Sequence, residues 1–214
     1  LLFFYISFYE NAKRIVADEL KDYVFSDALS DFEFYKKGYS KRPIVAVNSP
    51  EIDKFVANCE DYWVYYTNGE LKENVSNRTI SVPSARNRVM GVQMYVGGAK
   101  GFLHWGYNYY YGALSRGIFN PIIDPCGYKQ IAGASYVVYP DITGEAIPSL
   151  RMKVFYEAIN DYGALQLLET LIGRKAVLQF IEKTVGKVVD ELLKRGAEVV
   201  YEKMYDVHVS GHAC

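Results

Sequence analysis

Pro43-Ile44-Val45-Ala46-Val47-Asn48-Ser49-Pro50-Glu51 is the stretch on which the fold turns. Its first five residues are apolar and rich in β-branched side chains, the composition of a strand buried on both faces. A helix start follows: Ser49 can cap, Pro50 fits the first turn, and Glu51 suits the positive end of the helix dipole. A buried strand running straight into a helix is half of a βαβ unit, and the alternation continues in both directions. Upstream, Phe3–Ser7 reads as a strand and about Tyr9–Lys21 as a helix with Ile15, Val16 and Leu20 on its apolar side. Phe25–Leu29 reads as a second strand, and Asp31–Lys37 as a helical turn stopped at Gly38. Downstream, Asp61–Thr67 is a fourth strand and Asn68–Val82 a polar loop. Pro83-Ser84 opens a helix reaching about Tyr95 and ended by Gly97-Gly98, and Gly101–Asn108 is a fifth strand.

Residues 109–147 change in character to a Gly- and Pro-punctuated excursion with one short strand at Tyr136–Tyr139. Pro148 then starts a long helix. Leu150, Val154, Ala158, Tyr162, Leu165, Leu168 and Ile172 recur at spacings of three and four, and Gly173 stops it. A second helix carries Val177, Ile181, Val185, Val188 and Leu192 up to Gly196. Both stripes read as core-facing surfaces rather than cofactor boxes.

Five strands with intervening helices fit either a doubly wound sheet or the later part of a (β/α)8 barrel. No GxGxxG follows any strand, so the dinucleotide-binding version of the former lacks its fingerprint. A barrel typically needs about 250 residues. The expected fold is therefore α/β: a partial (β/α)8 TIM-type barrel over residues 1–147, then a closing helix, a helical segment and a tail over 148–214. The chain begins Leu1-Leu2-Phe3 without Met, which reads as a fragment entered partway through a longer protein.

With 24 basic and 25 acidic residues, the chain offers no electrostatic handle for nucleic acid or an anionic membrane. No apolar run is long enough to predict a membrane-spanning helix. Cys59, Cys126 and Cys214 are too few and too scattered for a disulfide framework. Their usage suits a reducing compartment, while an export signal would have to precede residue 1, so location stays open. His208, His212 and Cys214 read as a frayed tail rather than a metal site. No cofactor and no metal is expected.

The unusual count is 20 tyrosines, side chains with a flat apolar face and a polar tip. In a barrel, chemistry collects at the carboxyl ends of the strands. Those ends supply Ser7, Asp27, Asn48, Tyr65, Tyr66, Trp105, Tyr107 and Asn108, a polar and aromatic set with one carboxylate. Aromatic faces pack on the C–H faces of a pyranose, while amide, carboxylate and phenol tips bond its hydroxyls. The candidate substrate-binding residues are thus Asp27, Asn48, Tyr65, Trp105, Tyr107 and Asn108. Gly106 beside Trp105 is read as leaving space for a ligand. His104 is expected to alternate away and pack against helices, and Arg78, Arg86 and Arg88 to make helix-terminal or surface pairs. Asp18-Glu19 and Glu169 read as solvated helix faces.

Six blocks occur in one order: Asp27-Ala28-Leu29-Ser30-Asp31-Phe32-Glu33-Phe34-Tyr35; Ser76-Asn77-Arg78; Pro83-Ser84-Ala85-Arg86-Asn87-Arg88; Gly101-Phe102-Leu103-His104-Trp105-Gly106-Tyr107-Asn108; Ile147-Pro148-Ser149-Leu150-Arg151-Met152; and Glu157-Ala158-Ile159-Asn160-Asp161-Tyr162. Over roughly residues 1–175 they resemble the catalytic domain of glycoside hydrolase family 123, once catalogued as a bacterial domain of unknown function. The resemblance implies a (β/α)8 barrel and a retaining β-N-acetylgalactosaminidase. It implies substrate-assisted catalysis, in which the acetamido oxygen of the sugar attacks, an Asp orients it and an adjacent Glu is the acid/base. Such chemistry is an exception to the two-carboxylate displacement scheme. An internal nucleophile has high effective molarity, and the Asp would stabilise the developing positive charge.

The sequence departs from that family where the pair belongs. After Phe4-Tyr5-Ile6-Ser7 stands Phe8-Tyr9, and the next acid is Glu10, a weak substitute. The expected partner is an N-acetylhexosamine-containing glycan, and the expected activity of this chain is nil or nearly so. The alternatives are a non-catalytic carbohydrate-binding pseudoenzyme and a structural fragment whose aromatics are core.

Overall fold

The computed structural model describes residues 2–38, 40–66, 76–112, 117–127, 130–194, 198–202 and 206–210. Two compact units emerge. The first comprises residues 1–65 and 99–103, the second 66–98 and 104–214.

The first unit is built on a parallel sheet of β1 (Ser26–Ala28), β2 (Arg42–Ala46), β3 (Trp63–Tyr65) and β4 (Gly101–Leu103), ordered β1-β2-β3-β4. Helices α1 (Leu2–Glu19), α2 (Phe32–Lys36) and α3 (Ile52–Asn58) belong to it. The expected strand at Phe3–Ser7 is not there; α1 runs through it. A short apolar run does not itself distinguish strand from buried helix. No Gly or Pro interrupts the chain before Gly38, and Ile6, Tyr9, Lys13 and Val16 are half-buried at spacings of three and four. The helical period therefore wins over the β propensity of the aromatic residues. Ser7 is consequently no strand end.

The other strands of this unit form where the sequence puts them, with shorter bounds. Asp31 caps α2 by accepting the Phe34 N–H at 3.1 Å, and Gly38 ends the turn at φ +71°. Ser49 does not begin α3, which starts at Ile52. Its hydroxyl instead donates to the Ser30 carbonyl at 3.0 Å and accepts the Glu51 N–H at 3.2 Å. Val45 and Phe55 are fully buried, worth about 1.5–3 kcal/mol each.

Register fixes two faces of the sheet. Ala28, Ile44, Trp63 and Gly101 are partners across the four strands, as are Ala46, Tyr65 and Leu103 across β2, β3 and β4. Alternation places Asp27, Pro43, Val45, Val64 and Phe102 on the opposite face. Pro43, Val45 and Val64 are buried, whereas Ala46, Trp63, Tyr65, Gly101 and Leu103 are half-buried. Trp63 lies so close to Gly101 that a Cβ there would sit 2.3 Å from the indole.

In the second unit, α4 (Ser84–Arg88) and α5 (Met90–Gly97) replace the single expected helix; Val89 joins them and Gly98, at φ +81°, ends the second. The hairpin β5 (Val138–Pro140) and β6 (Ala146–Pro148) leads into α6 (Leu150–Ile172), whose cap Ser149 accepts the Met152 N–H at 3.1 Å. The α6 stripe is core-facing in its middle: Ala158 is fully buried and Val154, Tyr162, Leu165 and Leu168 half-buried, while Leu150 and Ile172 at its ends are exposed. After Gly173, α7 (Arg174–Lys194) buries Val177. Arg174 ties the ends of two helices: it donates to the carbonyls of Tyr95 and Val96 at the negative end of α5 and stacks over the Tyr95 ring. The Tyr95 hydroxyl donates to Glu169 at 2.7 Å.

Beyond α7 the expected tail contains a hairpin, β7 (Glu198–Glu202) with β8 (Asp206–Ser210). His208 pairs with Val200 there, and His212 and Cys214 lie outside the described residues. Among the described residues no helix is long and apolar enough to cross a membrane.

Candidate functional site

In the first unit, Asn48 follows β2 and Tyr65 ends β3, both half-buried. The ladder extends past β2 through the Val47 N–H to the Tyr65 carbonyl, at 2.9 Å, and Ser30 accepts the Ala46 N–H at 2.9 Å. These bonds fix the backbone at the carboxyl edge, where Asn48 and Tyr65 sit. Asp27 is placed differently. It lies on the face opposite Tyr65, and its carboxylate is engaged: one oxygen accepts the Tyr9 hydroxyl of α1, the other the Ala28 N–H at 2.8 Å. Asp27 thus anchors α1 to β1. Glu10, one residue beyond Tyr9, is exposed, as are Asp18 and Glu19 at the end of the same helix.

In the second unit, the chain after β4 is not the continuous strand expected to Asn108. Residues 108–111 are extended and bonded on both sides, after bends at Trp105 and Tyr107. Asn108 bridges Tyr136, the Tyr109 N–H donates to the Ser135 carbonyl at 3.0 Å, and the Phe119 N–H donates to the Tyr110 carbonyl at 2.9 Å. Tyr110 turns to the inner side, packing on Phe119 and Tyr136 and donating to the Val138 carbonyl at 2.8 Å. Trp105, Tyr107 and Tyr111 remain 37%, 49% and 44% exposed.

Gly106 does not leave room for a ligand. A Cβ at this position would meet the Ser135 carbonyl oxygen at 2.3 Å, so the missing side chain serves backbone approach.

His104 meets aromatic neighbours. Its ring stacks beside Trp105, with centroids 6.1 Å apart, and meets the edge of buried Tyr66 at 5.9 Å. Its Nδ1 lies 2.7 Å from the Gly106 carbonyl oxygen. Burial, reinforced by the charges of Arg78 and Arg151, pushes the imidazole down to about 3, so it is neutral at ordinary pH.

Arg88 makes the expected surface pair, a two-bond contact with Asp161 at 2.8 and 3.0 Å. Arg78 does not: it is buried, with its guanidinium 4.6 Å from the Phe155 ring centroid, and burial brings it down to about 10. Arg151 holds two loop carbonyls, of Gly133 at 2.6 Å and Arg78 at 3.1 Å. The Ser76-Asn77-Arg78 block, read as part of a polar loop, is thus a buried post behind His104.

The structure brings together Trp105 with His104, Tyr109 and Tyr111. Tyr109 and Tyr111 were not among the expected site residues, although a signal was present: aromatic residues at 105, 107, 109 and 111 alternate with period two, the period of an extended segment. Such a surface can stack apolar faces and bond hydroxyls; it holds no carboxylate for acid–base work. Among the described residues no group of three or more His, Cys, Asp or Glu side chains is arranged to hold a metal.

No curated protein matches the chain. The family model for the glycoside hydrolase 123 catalytic domain matches residues 5–168, which covers the sheet, the aromatic segment and most of α6. On that match the chain belongs to the glycoside hydrolase 123 catalytic-domain family.

Proposed function

We propose that the chain supplies later strands of a (β/α)8 barrel over residues 1–147, closed by the helix that follows, and binds an N-acetylhexosamine-containing glycan without cleaving it. The strand order supports the barrel. Four parallel neighbours follow in chain order with no reversal, whereas a doubly wound sheet reverses at its switch point. Within the second unit the sugar contacts proposed are Trp105, Tyr107 and Asn108; within the first, Asn48 and Tyr65 are proposed as sugar contacts in their own right, with Asp27 positioning α1.

The observation that carries the reading is Trp105, part-exposed and braced from behind by a neutral His104. A tryptophan serving only as core would be covered. A charged imidazole in that position would bring a fixed ion and its hydration to the stacking surface, whereas the neutral ring does not.

Hydrolysis of β-linked N-acetylgalactosamine is proposed as the reaction of descent, on the strength of the resemblance. Lack of turnover is proposed because Phe8-Tyr9 occupies the position of the Asp-Glu pair. Here those residues lie in α1, with Tyr9 bonded to Asp27 and Glu10 exposed on the same helix. Loss of a general acid alone costs about 10²–10⁴ in rate. Loss of the group that orients the acetamide adds to this.

Incubation with p-nitrophenyl N-acetyl-β-galactosaminide should release no nitrophenol above background. Steady release that disappears in Glu10→Gln would overturn the inactive reading and place the acid on α1.

A further inference from the structure

We infer that Trp105, Tyr107, Tyr109 and Tyr111 form one aromatic platform for several consecutive sugar rings, so that the ligand is an oligosaccharide chain rather than a single terminal residue. This rests on the saccharide reading above and extends it to the class of glycan.

Residues 108–111 are extended, with backbone bonds to 135–137 on one side and 118–119 on the other, and the chain bends at Trp105 and Tyr107. Tyr109 and Tyr111 therefore share a face and Tyr110 takes the opposite one, while Trp105 joins the former through its ring contact with Tyr109. Tyr110 confirms the alternation, since its ring is spent on Phe119 and Tyr136. On the other face, ring centroids step 5.8 Å from Trp105 to Tyr109 and 5.7 Å from Tyr109 to Tyr111. The pairs are inclined at 60° and 62°, so the surface is stepped rather than flat, and a sugar chain would follow it with its rings turned from one to the next.

The rings are preorganised. Trp105 rests on His104, Tyr109 is wedged half-buried between Trp105 and Tyr111, and Gly106 presses the backbone onto Ser135. Little rotamer freedom remains to be lost on binding, which favours affinity for a long ligand. A single hexose would engage only part of this surface and leave Tyr111, 44% exposed, without a role.

The test is calorimetric titration of the whole chain with N-acetylgalactosamine and with an unsulfated chondroitin tetrasaccharide, which contains β-linked N-acetylgalactosamine. The tetrasaccharide should bind at least about tenfold more tightly. Tyr111→Ala should remove about three- to tenfold of that affinity, the range of one aromatic contact. It should leave monosaccharide binding unchanged, and Tyr111→Trp should restore the loss. Because Tyr111 is exposed, its truncation leaves the fold in place, which an unchanged melting temperature will verify. If both sugars bind equally, or Tyr111→Ala changes neither, the platform is overturned while the saccharide reading stands. If neither sugar binds, both fall.

Discussion

Replacing Gly91 by alanine is expected to destabilise the protein by more than about 3 kcal/mol, although alanine is ordinarily the better helix former by about 1 kcal/mol. Gly91 lies in α5 where it crosses α6. A Cβ there would stand 1.8 Å from the carbonyl oxygen of Ala158, itself fully buried. The obstacle is backbone inside a helix, so relief requires the two helices to separate along their contact. That separation would strip cover from Met90, Met94 and Ala158, which are 1%, 3% and 0% exposed. It would also pull on the Tyr95–Glu169 and Arg174 bonds that tie the same helices. Gly163 provides the control. It is exposed on α6, and a Cβ added there would meet nothing within 4 Å. Gly163→Ala should therefore stabilise by about 0.5–1 kcal/mol. Urea unfolding of the two variants should move the midpoint in opposite directions; a Gly91→Ala protein as stable as the parent would contradict the α5–α6 packing.

The second large effect is on stability in mild acid. His104 has a folded-state pKa of about 3 against an ordinary value of 6.5. Between those values the unfolded chain takes up a proton that the folded chain refuses. Stability is therefore intact above about pH 6.5 and falls as pH drops toward 3, by about 1.4 kcal/mol per pH unit and roughly 5 kcal/mol at the full extent. Paired carboxylates such as Asp161, held low by Arg88, add their own loss, but only nearer the carboxylate range. Among the described groups with a shifted titration, His104 is the one that acts between pH 6.5 and about 5. Urea unfolding across it should show a steady decline in the parent and a flat line in His104→Phe, which keeps an aromatic ring beside Trp105 but cannot titrate. An equal decline in both would place the imidazole in solvent.

How much of this was legible in the sequence depends on the kind of signal. Pro43–Asn48 announced a buried strand by composition, and β2 is there. Gly98 and Gly173 announced helix limits by chemistry that acts within one turn, and both limits hold, whereas Pro148, read as the start of α6, lies in β6 and Ser149 caps the helix. Phe3–Ser7 misled because five apolar residues satisfy either period, and only the spacing from Ile6 to Val16 reveals the helix. The consequence reaches the site: Phe8-Tyr9, where the resemblance would put the Asp-Glu pair, lie within α1 and not at a strand end. Gly106 misled for another reason. A glycine beside an aromatic residue signals close approach, but sequence does not say whether ligand or backbone approaches, and here Ser135 does. Arg78 was misjudged because its burial arises from a partner far along the chain, Phe155. The family blocks fared better. They were recognisable before any geometry, and the matched range of 5–168 agrees with the resemblance.

Binding without cleavage is tested most directly by saturation-transfer NMR of the protein with p-nitrophenyl N-acetyl-β-galactosaminide. The expected spectrum shows transfer to the sugar-ring and acetamido protons, weakened in Trp105→Ala, with no free nitrophenol accumulating in the tube. Absence of transfer, transfer untouched by the tryptophan replacement, or growth of the nitrophenol signal would each contradict it.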